Sequence, residues 1–191
     1  MTAFLLIWSP KKWPWPELPD FARRVSAGDA VADTWGCGFA RGILPGDRVF
    51  LHRVSSEPRG LFGSGYVTRA PYEVPDPTYK RGYRLCIDFV YDWLVDANRE
   101  VVIARDDLRV HPFSVQTWDA QSSGTTIKPI AEGALEKRWM QLVGKRPMPA
   151  LPFAGGGLTQ QTAMESPAPA SASAPASAPT PARHRRTPRR A

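Results

Sequence analysis

Four prolines in ten residues, Pro10, Pro14, Pro16 and Pro19, interrupt the stretch LLIWSPKKWPWPELPDF near the start of this 191-residue chain. Proline has no backbone N–H and a fixed φ, so the stretch cannot run on as a regular helix or as a central strand. It nevertheless carries Trp8, Trp13 and Trp15, with Ser9, Lys11 and Lys12 among them. Three large rings on an irregular backbone serve either as a lid over a hydrophobic core or as a platform for stacking. The rest of the chain has to decide between the two.

Hydrophobic residues make up 42% of the chain, enough for one well-formed core at this length. All seven tryptophans lie between Trp8 and Trp139. No apolar run approaches the roughly 18–20 residues that cross a bilayer. The opening AFLLIW is too short for a secretory leader and meets a proline at once. A cytoplasmic protein without a membrane partner is therefore expected. Cys37 and Cys86 make neither a disulfide framework nor a zinc cluster, so free thiols and no metal or cofactor are expected.

The composition changes near Pro149. Residues 149–191 turn to glycine, then Pro/Ala/Ser, then RHRRTPRR, and cannot bury enough apolar surface to offset their ordering entropy. The expected organisation is a folded domain over 1–148 and a disordered tail over 149–191. Residues 151–191 hold five arginines against Glu165, hence +4 of the net charge of +7. That tail is either an arm adding phosphate contacts or a solvated end without a dedicated partner.

Within the domain, AFLLIW reads as a buried strand. LPDFARRVSAG reads as a short helix, with Leu18, Phe21, Ala22 and Val25 on one face and Gly28 as its stop. GDRVFLHRV alternates as a strand after a Pro-Gly-Asp turn, and YRLCIDFVYDWLV is a long strand that bends. Between them, RGLFGSGYVTRAP has the glycines of a bulged strand or a close backbone crossing. VVIARDDL is a short apolar run. IAEGALEKRWMQLVG places Ile130, Ala134, Leu135, Trp139 and Leu142 at helical spacing. Strands in the middle with helices early and late predict an α+β domain on a strongly bent sheet or small barrel.

Four elements in order, WSPKKWPW, W.CG....I.PGDRVFLHR, GLFGSGYV and W..QSSG..I, resemble the EVE-like domains of the PUA superfamily. These are relatives of the YTH readers, in the version associated with modification-dependent restriction systems. The resemblance spans roughly residues 3–143 and implies a small PUA-type β-barrel with flanking helices. It also implies a pocket that accepts a flipped, modified base, of the 5-methylcytosine type or another modified DNA base. The 191 residues contain no Gly-Lys-Ser/Thr nucleotide loop and no nuclease motif. Cleavage is therefore expected from a separate nuclease or NTPase effector, with this chain as the recognition component of a restriction or defence system.

The chemistry of the residues fits that implication. A methyl group adds apolar surface without charge, so an aromatic enclosure detects it while hydrogen bonds fix the base edge. Trp35 and Trp118 are the candidate walls, with Trp8 as a third. Ser9, Gln121, Ser122 and Ser123, with approachable backbone at Gly36 and Gly124, are the candidate edge contacts. Lys11, Lys12, Arg53, Arg59 and Lys80 are the candidate phosphate contacts. Trp13 and Trp15 are expected to staple the first helix, and Trp93 and Trp139 to pack in the core.

No catalytic constellation emerges, and a non-enzymatic role is expected. Asp106 and Asp107 are adjacent, so in a strand they would point to opposite faces. His52 and His111 have no metal-ligand spacing, and Ser122 and Ser123 lack the strand–turn–helix setting of a nucleophile. Two other binding roles remain open: a PUA-like RNA-binding protein, and an adaptor for a separate nuclease.

Overall fold

A computed structural model describes residues 1–144; the expected tail, 149–191, lies outside the described residues. The elements are β1 (Ala3–Trp8), α1 (Leu18–Ala27), β2 (Ala32–Gly36), β3 (Arg48–Arg53), β4 (Gly60–Pro75), β5 (Tyr83–Leu94), β6 (Ile103–Ala104), β7 (Thr125–Thr126) and α2 (Pro129–Val143). Two short 3-10 turns, Asp107–Arg109 and Phe113–Val115, lie between β6 and β7. The class is α+β, as expected. One mixed seven-stranded sheet runs in the order β2-β5-β4-β3-β1-β7, with β6 paired to β4. β1 and β3 are parallel, Ala3 opposite Arg48 through Trp8 opposite Arg53, and the other pairs are antiparallel.

The central strands are buried on both faces because each face has its own core. On β1, Phe4, Leu6 and Trp8 join a cluster with Val49, Leu51, Phe62, Leu85, Ile87 and Phe89 on the side covered by α1. Ala3 and Leu5 point the other way, with Phe50, Leu61, Trp118 and the α2 residues Ala131, Leu135 and Trp139. Alternation therefore sorts side chains between two cores rather than between core and water. Burial on α2 follows i, i+4 and i+8, and Ile130 and Leu142, expected on that face, are 64% and 45% exposed. Ile130 precedes Ala131 by one residue, about 100° around the helix, and Leu142 lies about 60° off the position of Trp139, so both turn away from the Ala131–Leu135–Trp139 stripe that meets the sheet.

Arg48 links α2 to the sheet across this second core. Its guanidinium donates to Asp92 at 2.8 Å, Glu136 at 2.9 Å and Ser64 Oγ at 3.3 Å, and lies over the Tyr66 ring at 4.5 Å. Each charge in the cluster has a partner, as a buried guanidinium requires.

Curvature comes from β4, whose pairing with β5 shifts register at Ser64/Gly65 and twice more by Tyr72. A Cβ at Gly65 would stand 2.4 Å from the carbonyl oxygen of Val90, so only glycine permits that approach. The bend brings the two edges of the sheet together, where Gly38 and Gly124 form a seam. A Cβ on Gly38 would meet Ser122 Oγ at 2.2 Å, and one on Gly124 would meet the Cys37 carbonyl at 2.3 Å.

The β2 strand, absent from the sequence reading, pairs with β5 over five residues although it contains Asp33. The Asp33 carboxylate accepts from the Tyr91 hydroxyl and the Thr34 N–H, both at 2.7 Å. Burial outweighs these bonds and raises its pKa to about 6. An aspartate with a raised folded pKa contributes most below its unfolded value, near 3.9, and loses that contribution as pH rises through about 6. Asp33→Asn keeps an acceptor for Tyr91 and removes the charge. In thermal melts from pH 4 to 7, its midpoint is expected to gain on the parent as pH rises; a constant difference would refute the assignment.

Candidate functional site

A cleft of about 360 Å³ opens at the seam. The end of β1 and the turn after it supply Ile7, Ser9, Lys12 and Trp13; β2 supplies Thr34, Trp35 and Gly36. Val54 and Ser55 follow β3, Tyr79 and Arg81 come from the β4–β5 connection, Arg84 and Leu85 from the start of β5, and residues 119–123 from the segment before β7. That volume falls in the range of small-ligand sites.

Its aromatic side answers the question posed by the proline-rich opening. After β1 the chain turns at Ser9, whose carbonyl accepts from the N–H groups of Lys12 and Trp13, both at 3.0 Å. The turn lays Trp13 flat on Trp15, with centroids 5.4 Å apart and planes at 17°, and edge-on to Trp35 at 5.2 Å. Trp15 is buried in the core beside Phe21 and Phe62. Trp13 is half-buried and faces the cleft. The segment is thus both a lid, through Trp15, and a wall, through Trp13.

Trp35 is held by the seam. Its indole N–H donates to Ser123 Oγ at 3.3 Å, and that oxygen also accepts from the Ile7 N–H at 2.9 Å. The Ser123 hydroxyl lies 3.4 Å from the Ile7 carbonyl, to which it donates. Its bonding capacity is spent on positioning Trp35 and β1. Near the other rim, Ser9 and Ser55 pair their hydroxyls at 2.8 Å, and Ser55 has a left-handed φ of 71°, uncommon for a serine.

The polar side centres on Asp119, which sequence reasoning passed over although it sits inside WDAQSSG. Arg105 grips its carboxylate with Nε at 3.0 Å and with a second guanidinium nitrogen. Arg105 thereby holds Asp119 below the usual carboxylate range. His52 lies behind, with Nε2 3.8 Å from the carboxylate. Burial keeps this imidazole neutral, with its pKa lowered to about 4. The cleft therefore presents an ionised, acceptor-only group with oxygen lone pairs to spare.

Of the candidates, the structure brings Ser9, Trp35, Gly36, Gln121, Ser122, Ser123 and Lys12 onto the cleft. Trp8 and Trp118, expected as walls, lie outside it. Trp8 is 1% exposed because it shares the parity of Phe4 and Leu6, and its N–H donates to the Trp13 carbonyl at 3.0 Å. Trp118 is 5% exposed in the core under α2, donating to the Phe113 carbonyl at 2.9 Å. Arg53 is buried, donating to the carbonyls of Ala97 and Glu57, and Arg59 pairs with Glu57 at 2.7 Å. Lys11 and Lys80 are exposed but do not line the cleft. Arg81 and Arg84 do, and their signal was the interleaving of basic and aromatic residues in TYKRGYR.

Among the described residues no group of three or more His, Cys, Asp or Glu side chains is placed to hold a metal. No helix there is long and apolar enough to cross a membrane.

No family model and no curated protein matches the chain. Solved structures do. A hypothetical protein from Leishmania major is 16% identical, with 74% of this chain and 96% of that one covered at a TM-score of 0.50. Rpa0253 from Rhodopseudomonas palustris is 19% identical, covering 74% of this chain and 95% of its own, at 0.49. Human THYN1, solved in complex with DNA containing 5-methylcytosine, is 12% identical, covering 77% and 100%, at 0.43. At these identities the likeness is one of fold, and no ligand passes to this chain with it.

The tryptophans make a stability test of the placement. Trp8→Ala and Trp118→Ala, which empty packed cores, are expected to cost about 3–5 kcal/mol each. Trp13→Ala, with a ring open to the cleft on one side, is expected to cost distinctly less. Equilibrium denaturation of the three variants checks the order, and a Trp13 loss equal to that of Trp8 would place Trp13 in the core.

Proposed function

We propose that the cleft is a reader site for a flipped, modified base in nucleic acid, and that the chain is a non-catalytic EVE-type recognition module. The observation carrying this reading is a cleft with indole rings on one side, an ionised acceptor on the other and cations at the rim. A base removed from its stack loses stacking energy, and an aromatic side chain returns about 1–3 kcal/mol of it. Trp13, half-buried on the cleft lining, would do so, with the buried Trp35 edge-on behind it. A carboxylate accepts from the exocyclic amino group of cytosine. Asp119 therefore favours an amino-bearing base over thymine or uracil, and a modified cytosine of the 5-methyl type satisfies both sides of the cleft. Gln121 and Ser122 would supply further edge contacts, and Lys12 and Arg81, also on the cleft lining, would meet the flanking phosphates.

Serving a separate nuclease or NTPase, such a module would supply recognition to a restriction or defence system. Support for that context is the order of motifs WSPKKWPW, W.CG, GLFGSGYV and W..QSSG.

The test is a binding panel. Duplex and single-stranded DNA, and RNA of the same sequence, carry 5-methylcytosine, 5-hydroxymethylcytosine, N6-methyladenine or no modification. Tighter binding to a modified cytosine than to its unmodified counterpart is expected. Equal, weak binding that vanishes with salt would reduce the interaction to phosphate contacts, and preference for the RNA forms would reassign the module to RNA.

Asp119→Ala is expected to weaken binding to the preferred modified DNA about tenfold or more, the scale of one lost base-edge contact. Binding to unmodified DNA should stay the same or tighten slightly, since a negative charge is removed. An unchanged preference, in a variant whose melt shows it folded, would remove Asp119 from the site.

A further inference from the structure

Phe39 is 82% exposed, the most exposed aromatic among the described residues, and it follows Gly38 and touches Arg81, both of which line the cleft. Its backbone is not free to retract. The Ala40 N–H donates to the Cys37 carbonyl at 3.1 Å, and Gly38, with φ of 64°, is pressed against Ser122 and Ser123 with no room for a Cβ. Gly38 lines the cleft, and Phe39 borders a shallow depression on the far side of the same ridge, with Thr2, Gly42 and Thr125. Arg81 lies over one face of the ring, its guanidinium 4.6 Å from the centroid, which leaves the other face open. Arg81 is itself anchored, donating to the carbonyls of Tyr83 at 2.8 Å and Gly38 at 3.0 Å.

A rigidly mounted, solvent-facing phenyl ring has no use in a stable core, and exposing it is unfavourable in the free protein. Cations lie close to it: Arg81 over the ring, and Arg41 two residues on, which pairs with Glu73 at 3.2 Å; Lys12 is on the lining of the adjoining cleft. An apolar wedge set among cations suits the interior of a duplex, where it meets base faces while the cations meet phosphates.

We propose that Phe39 is the wedge that enters the base stack at the position vacated by the flipped base. This inference rests on the reader function proposed above and assigns the partner as double-stranded DNA. Extrusion leaves a gap whose walls are two unstacked base faces, and a phenyl ring inserted there restores part of the lost stacking. Arg81 holds the ring at the angle of entry and neutralises a phosphate beside the gap.

The experiment compares the full-length parent with Phe39→Ala and Phe39→Leu. The probes are a duplex bearing one 5-methylcytosine, the same strand single-stranded, and the duplex with a mismatch opposite the modified base, each alongside its unmodified counterpart. Phe39→Ala is expected to bind the matched duplex about tenfold more weakly, the single strand within about twofold, and to regain affinity on the mismatch, where flipping costs less. Phe39→Leu, which keeps an apolar wedge, should recover most of the loss. An equal loss on single and double strands, or none on the duplex, overturns the wedge. If the parent discriminates the modified base and Phe39→Ala changes nothing, the wedge alone fails. If the parent does not discriminate it even in the single strand, the reader function fails and the wedge with it.

Discussion

The hydroxyl of Ser123 is the interaction on which the site depends. The sheet bends until its two edges face one another, but β2 and β7 are not joined by a ladder of backbone bonds. In its place a side-chain oxygen accepts from the Ile7 backbone at 2.9 Å and the Trp35 indole at 3.3 Å, beside two glycines that let the edges touch. A seam closed in this way leaves room that a paired barrel would fill with backbone. The cleft is that room. The residue that appeared from sequence as a ligand contact is the one that makes the contact geometry possible.

The same economy of space explains the tryptophan segment. Proline prevents residues 9–19 from forming a regular element, so their rings are placed by turns and by what lies beneath them. Trp15 sinks beside Phe62 and Trp13 stacks on it at the surface. Trp8 is buried under both, and a cation rests on its ring, since Arg53 lies 5.2 Å from the centroid. A rigid aromatic wall results from a chain segment with no ladder bonds of its own, because each ring rests on the next.

Charge in the cleft is organised by what stands behind it. Arg105 holds the Asp119 carboxylate, with neutral His52 behind it at 3.8 Å, and Asp119 lines the cleft. Partial burial by itself raises the Asp119 pKa, and the bonds from Arg105 lower it by more. The group therefore stays an acceptor at neutral pH.

Much of the architecture was legible in the chain itself. AFLLIW, LPDFARRVSAG, RVFLHR and YRLCIDFVYDWL carry their own periodicity or caps, and each forms the element that its pattern predicts. The glycines of GLFGSGYV announced the bulged strand because a missing Cβ matters only where another backbone passes close. The short strands β2 and β7 were not legible, since Asp33 and the Gly/Thr/Ser residues around them favour turns until a partner strand satisfies their backbone. The sequence determined that tryptophans and small polar residues occur together near 35 and 118–124. Only the tertiary structure decided that Trp118 turns into the α2 core while Trp13 and Asp119 face the cleft. The reason is physical: which side of a chain meets solvent depends on what packs against the other side, and here those neighbours come from other elements, Ala3 and Leu5 for Trp118, Trp35 for Trp13 and His52 for Asp119.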